Sequence, residues 1–196
     1  MEKINFKKEL SNLYSASVKK PELIKVPKMN FLMVEGFGTP RENEFQNAAK
    51  TLYPLAYTLK FMIREIKDID YGVLPMEVIW TLNRKKKGDF KWVMMLMQPK
   101  YITQKLYEEA YERVKIKFDP PLIKKVRFES FDEGLCVQVM HKGAYEKMND
   151  TLENMLTFIK EHGYTSERDT HDIYLNDVRK TRPENLKTIM RLPVKK

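Results

Sequence analysis

The sequence predicts an α+β fold built from a duplicated β-α-β-β repeat with pseudo-two-fold symmetry: an antiparallel sheet with two long helices on one face. Three observations carry this. The order strand, helix, strand, strand occurs twice along the chain. Asp119-Pro120-Pro121 separates the two occurrences, because tandem prolines fix φ and remove backbone donors. Each long helical stretch carries a single apolar stripe, which needs a sheet face to bury it.

Composition sets the outer bounds. The chain has 196 residues and is 42% hydrophobic, with ten Phe, ten Tyr and two Trp, so it is not a disordered chain. No run approaches the roughly 20 apolar residues of a membrane span. The start, Met1-Glu2-Lys3-Ile4-Asn5-Phe6-Lys7-Lys8-Glu9, offers no signal-peptide core, and the single cysteine, Cys136, suits a reducing compartment. A cytoplasmic location follows as the expectation. His141, His162 and His171 have no short ligand spacing, so no metal and no cofactor is implied. The net charge of +9 is scattered except at Arg84-Lys85-Lys86-Lys87, which reads as a solvated hairpin tip rather than a specific nucleic-acid surface.

In chain order, residues 1–22 form an extension with an amphipathic helix on Ile4, Phe6, Leu10, Leu13 and Tyr14, ended before Pro21. Leu23–Val26 and Asn30–Glu35 are extended, and Gly36-Phe37-Gly38-Thr39-Pro40 is a turn. A long helix starts near Asn43 and runs through Ile63, its apolar series continuing past Pro54, where a kink is expected. Met76–Leu82 and Phe90–Met97 are the strands of a hairpin, the second apolar on both faces. A connecting helix spans about 103–117, with Thr103 as its N-cap. The second repeat brings a short strand at Arg127–Glu129, a firmer one at Leu135–His141 with Cys136 packed inside it, and a helix over Tyr145–Lys160 ended by Gly163. A closing hairpin follows, from His171-Asp172-Ile173-Tyr174-Leu175 to the last strand. The repeats thus cover about 27–99 and 126–194 of one domain, 23–196.

On the closing hairpin, Asp172 and Tyr174 are two residues apart, so a carboxyl and a phenol share one face of the sheet. The stretch Asp172-Ile173-Tyr174-Leu175-Asn176-Asp177, its basic run Arg179-Lys180-Thr181-Arg182 and the strand with Lys187-Thr188 resemble the end of the GyrI-like small-molecule-binding family. Glu77-Val78-Ile79-Trp80, Trp92-Val93-Met94-Met95-Leu96-Met97-Gln98-Pro99 and His141-Lys142-Gly143-Ala144-Tyr145 extend the resemblance over roughly Pro27 to Val194. No helix-turn-helix precedes it, so the chain looks like a stand-alone version of a module that elsewhere forms the effector-binding half of multidrug-responsive transcription regulators.

The resemblance implies a ligand cleft between the halves, lined by Glu77, Trp80, Trp92, Tyr145, Asp172 and Tyr174; Met94, on the Met-rich strand, is a further candidate lining residue because flexible thioethers can line a pocket. Aromatic rings beside a carboxyl suit a hydrophobic or cationic small molecule, through area and cation–π attraction. Some stand-alone members hydrolyse electrophilic cyclopropane compounds, which implies Glu77 or Asp172 as the acid that deprotonates water, with Tyr174 assisting. The family pattern usually has Glu where this chain has Asp172, one methylene shorter. The resemblance also admits a gyrase-inhibitor-like role in binding a protein. The expected assembly is a monomer or a homodimer.

Overall fold

A computed structural model describes residues 1–82, 90–166 and 169–196. The predicted basic tip at Arg84-Lys85-Lys86-Lys87 lies outside the described residues. Numbered in chain order, the first elements are β1 (Glu2–Ile4), α1 (Phe6–Glu9), α2 (Ser11–Tyr14), β2 (Glu22–Val26), β3 (Met29–Phe37), α3 (Asn43–Lys67), β4 (Ile69–Tyr71), β5 (Met76–Leu82), β6 (Phe90–Gln98) and α4 (Gln104–Phe118). Then follow β7 (Arg127–Phe131), β8 (Gly134–Lys142), α5 (Met148–Glu161), β9 (Thr165–Ser166), β10 (Thr170–Tyr174) and β11 (Lys187–Lys195). The fold is α+β with antiparallel strand pairing throughout its main ladders, and the β-α-β-β order occurs twice, as β3-α3-β5-β6 and β8-α5-β10-β11.

The chain divides into two compact units that do not follow the two repeats. Unit 1 comprises Met1–Glu9, Met29–Leu74 and Leu82–Phe131, and unit 2 comprises Leu10–Lys28, Pro75–Thr81 and Asp132–Lys196. In unit 1, β3 lies between β6 and β7, with Leu32 opposite both Leu96 and Phe128. Helix α3 packs on this sheet because its buried residues recur at helical spacing: Phe45, Ala48, Leu52, Leu55, Ala56, Leu59, Met62 and Ile63. Pro54 lies within the assigned helix without ending it. Thr103 caps α4 by accepting a hydrogen bond from the Leu106 amide.

In unit 2 the strand order is β2-β8-β11-β10-β5, with β9 on the far end of β11. Helix α5 covers one face: Met155 and Ile159 meet Val137 and Val139 of β8 and Met190, Leu192 and Val194 of β11. Tyr145–Lys147 is a 3-10 turn, so the α-helix expected from Tyr145 begins three residues later. Strand β5 pairs with β10 here, Glu77 opposite Ile173.

The single N-terminal helix expected over residues 1–22 is not formed. Glu2–Ile4 instead pairs in parallel with Ile69–Tyr71, and two four-residue helices follow. A non-local ladder outweighs the weak intrinsic preference of a short segment that a helix alone would not hold in water. The Gly36–Pro40 turn also starts later than expected, since β3 continues through Phe37.

Gly36 sits in that strand because of what lies over it. A Cβ at this position would collide with the Trp92 ring, and Trp92 is fully buried and packs edge-on to Phe45 at 5.3 Å. Gly36→Ala therefore forces the indole out of its packing. We expect a loss of roughly 1–3 kcal/mol in urea denaturation, and unchanged stability would mean that the indole has room to shift.

Candidate functional site

Strand β10 is the element from which the site is built. It pairs antiparallel with β5 on one side and β11 on the other, so its side chains alternate between the two faces of the unit 2 sheet. His171 and Ile173 share one face with Glu77 and Ile79 of β5 and Arg191 of β11. Asp172 and Tyr174 share the other with Val78 and Trp80 of β5 and with Thr188 and Met190 of β11.

The first face holds a buried chain of polar groups. His171 Nδ1 lies 2.9 Å from Glu133 Oε1, and its Nε2 lies 3.0 Å from Glu77 Oε2. The Tyr14 hydroxyl donates to Glu77 Oε1 at 2.7 Å, and Arg191 Nη1 reaches Glu133 Oε2 at 3.2 Å. Arg191 also donates to the Leu13 carbonyl at 2.7 Å and to Gln138, whose own amide donates to the Asn12 carbonyl and to Glu22. Burial favours neutral imidazole at His171, but the charges and hydrogen bonds of Glu133 and Glu77 outweigh it and push the pKa up to about 9. For Glu133, burial would raise the pKa, yet His171 and Arg191 hold the carboxyl below the usual range. This layer is closed: Glu77, His171 and Arg191 are all at most 2% exposed, so the Glu77 carboxyl is committed to Tyr14 and His171.

The second face is half open. Asp172 is 5% exposed, while Trp80, Tyr145 and Tyr174 are half-buried around it. The Trp80 indole N–H donates to the Tyr174 oxygen at 3.1 Å, and the Tyr174 hydroxyl stands beside the Asp172 carboxyl. Asp172 Oδ1 has no hydrogen-bond partner among the described residues. The Tyr145 ring stands edge-on to the Tyr174 ring at 5.8 Å. Burial pushes the Asp172 pKa up to about 7, against the nearby positive charge of His171 and the Tyr174 hydroxyl. Burial also raises Tyr174 far above neutral pH, which keeps its proton available for donation. The arrangement is a carboxyl poised to gain or lose a proton near neutrality, one oxygen free, beside three aromatic rings.

Of the residues singled out in the sequence, the structure brings Trp80, Tyr145, Asp172 and Tyr174 together. It sets Glu77 on the opposite face of the same sheet. Trp92 and Met94 lie in unit 1, fully buried in β6 on the sheet face that also carries Val34 and Leu96. Lys3–Lys7, Lys60 and Asp70–Leu74 border a cavity of about 370 Å³ in unit 1, which contains none of the singled-out residues. Sequence reasoning missed Tyr14, Glu133, Gln138 and Arg191, and it left His171 without a partner. The available signal was Arg191 inside the apolar strand Thr188-Ile189-Met190-Arg191-Leu192, since a charge in such a run demands buried partners. Among the described residues, no group of three His, Cys, Asp or Glu side chains is placed to hold a metal ion.

The raised His171 pKa has a consequence for stability. The folded value, about 9, lies above the unfolded 6.5, so the stabilisation is complete below pH 6.5 and is lost as pH rises toward 9. Asp172 also loses stability with rising pH, but its window ends near pH 7. Urea denaturation should therefore show a fall on the order of 2–4 kcal/mol between pH 7 and pH 9. His171→Gln should be less stable at pH 7 and lack that fall; a flat wild-type profile would mean that folded His171 is neutral.

The sequence and structure can be set beside known proteins. The family described as the GyrI-like small molecule binding domain matches residues 19–195. An uncharacterized conserved protein from Listeria innocua is 38% identical with a TM-score of 0.90, over 98% of this chain and 100% of that one. A hydrolase from Listeria innocua is also 38% identical, with a TM-score of 0.88 over 98% and 100% of the two chains. The C-terminal domain of EcmrR shares the fold at 12% identity, with a TM-score of 0.55 over 90% of this chain and 98% of that one. No curated protein matches the chain.

Proposed function

We propose that this chain, which belongs to the GyrI-like small molecule binding domain family, is a hydrolase of small, hydrophobic, electrophilic molecules, with Asp172 as its acid–base group. The observation that carries this reading is the Asp172 carboxyl: buried, with the Tyr174 hydroxyl beside it, and without a hydrogen-bond partner at Oδ1 among the described residues. The substrate lies against Trp80, Tyr145 and Tyr174, whose rings supply apolar area and attraction for any positive charge it carries. Asp172 takes a proton from water as the water oxygen bonds to the electrophilic carbon. The strained carbon–carbon bond breaks, and the same proton returns to the departing carbon, so one water is added across the opened bond. Trp80 and Tyr174 are positioning residues for the carboxyl. The Listeria innocua relative that is a hydrolase supports the reading, through 38% identity over almost the whole chain.

Glu77 is the weaker candidate for the acid, since Tyr14 and His171 occupy its oxygens. A cation drawn to the same box and left unchanged is the second reading, favoured by the ring-lined carboxyl itself. A protein-binding role through the basic run Arg84-Lys85-Lys86-Lys87 gains no support, because that run lies outside the described residues.

The test is mass spectrometry of products after incubation with a panel of electrophilic cyclopropane compounds. Wild type should form water adducts, with kcat/KM rising through an apparent pKa of about 7. Asp172→Asn should lose at least about 100-fold, while folded Glu77→Gln keeps adduct formation. Intact ligand retained without any adduct would reduce the protein to a binder, and loss in Glu77→Gln alone would move the acid to the other face.

A further inference from the structure

Thr188 lies on the same face as Asp172, in the neighbouring strand. It is opposite Tyr174 in the β10–β11 ladder, while Asp172 is opposite Met190, so Asp172 and Thr188 are diagonal neighbours. Thr188 is 1% exposed, and its Oγ1 has no hydrogen-bond partner among the described residues. The polar groups beside it are already engaged. Tyr174 accepts from the Trp80 indole and stands beside Asp172. His141, opposite Thr188 on the β8 side, has Nδ1 2.7 Å from Thr151 Oγ1 and Nε2 3.1 Å from the Ala144 carbonyl.

Two buried oxygens on one sheet face, each lacking a protein partner, are costly unless something bonds to both. Diagonal neighbours across an antiparallel pair have Cα atoms roughly 7–8 Å apart, with their Cβ atoms somewhat closer. One water hydrogen-bonded to two oxygens at about 2.8 Å each spans up to about 5.6 Å. Side chains on diagonal positions can share such a water.

We propose that Asp172 Oδ1 and Thr188 Oγ1 form a two-oxygen slot that holds and aims the water used in the reaction. Thr188 is a positioning residue: it bonds the water and keeps its own proton throughout. Asp172 takes the proton that the water donates to Oδ1, and the oxygen lone pair that this releases forms the new bond to the substrate carbon. The assignment of the water to catalysis rests on the reading of Asp172 as the acid–base group, whereas the slot itself stands on the burial and register of the two oxygens.

Two measurements test it. A high-resolution crystal structure of the wild-type protein should show one water within hydrogen-bond distance of both oxygens, and Thr188→Val should lose it while Thr188→Ser keeps it. No water bridging the two in wild type overturns the slot. With a cyclopropane substrate that wild type turns over, Thr188→Val should lower kcat roughly 10- to 100-fold, with KM changed less than about twofold. Thr188→Ser should restore most of the rate. A Thr188→Val protein with unchanged melting temperature and unchanged kcat overturns the positioning role. A bridging water in a wild-type protein that turns nothing over would sink the hydrolase reading and leave the slot standing.

Discussion

Glu77, Glu133, His171 and Arg191 share one buried layer of unit 2, and none of them tolerates that burial without the others. Removing one member of such a set typically costs about 3–5 kcal/mol, because the remaining charge is left unpaired away from water. The layer therefore fixes the register of three strands, since Glu77, His171 and Arg191 must face the same way on β5, β10 and β11. It also ties the N-terminal segment to the sheet, through Tyr14 on Glu77 and the Leu13 carbonyl on Arg191.

Once His171 is fixed inward on that face, strand alternation leaves Asp172 no choice but the other. Two carboxyls of one sheet thereby acquire different surroundings. Glu77 is held by a phenol and an imidazole and is closed to solvent. Asp172 has one phenolic neighbour, a buried free oxygen and a pKa of about 7, which is the condition of a group that exchanges protons near neutrality. The imidazolium one residue away opposes the desolvation of Asp172 through the strand, so the closed layer shapes the chemistry of the open one.

Much of this fold was legible in the sequence. The apolar series of α3 and the Thr103 cap are local signals, and the repeated strand-helix-strand-strand order survives because periodicity reports burial directly. The parity of Asp172 and Tyr174 was equally local. What failed was non-local. Ile4 joins a ladder with Tyr71, which no short window contains. Glu77 and Asp172 look equivalent when the two repeats are aligned, yet Glu77 is opposite Ile173, and a one-residue difference in register sends the two acids to opposite faces. Glu133 and His171 are 38 residues apart, and only folding makes them a pair. Trp92 resembled a pocket aromatic because aromatics serve cores and pockets alike; Gly36 beneath its ring is the mark of close packing.

The central claim is that Asp172 is a free acid–base group tuned to neutrality, and carboxyl carbon NMR tests it most directly. A titration of protein labelled at aspartate carboxyls, with Asp172→Asn used to assign the resonance, should give an apparent pKa of about 7 for Asp172. A value near the ordinary 3.8 would contradict the account, because such a group would be a fixed charge at neutral pH rather than a proton carrier.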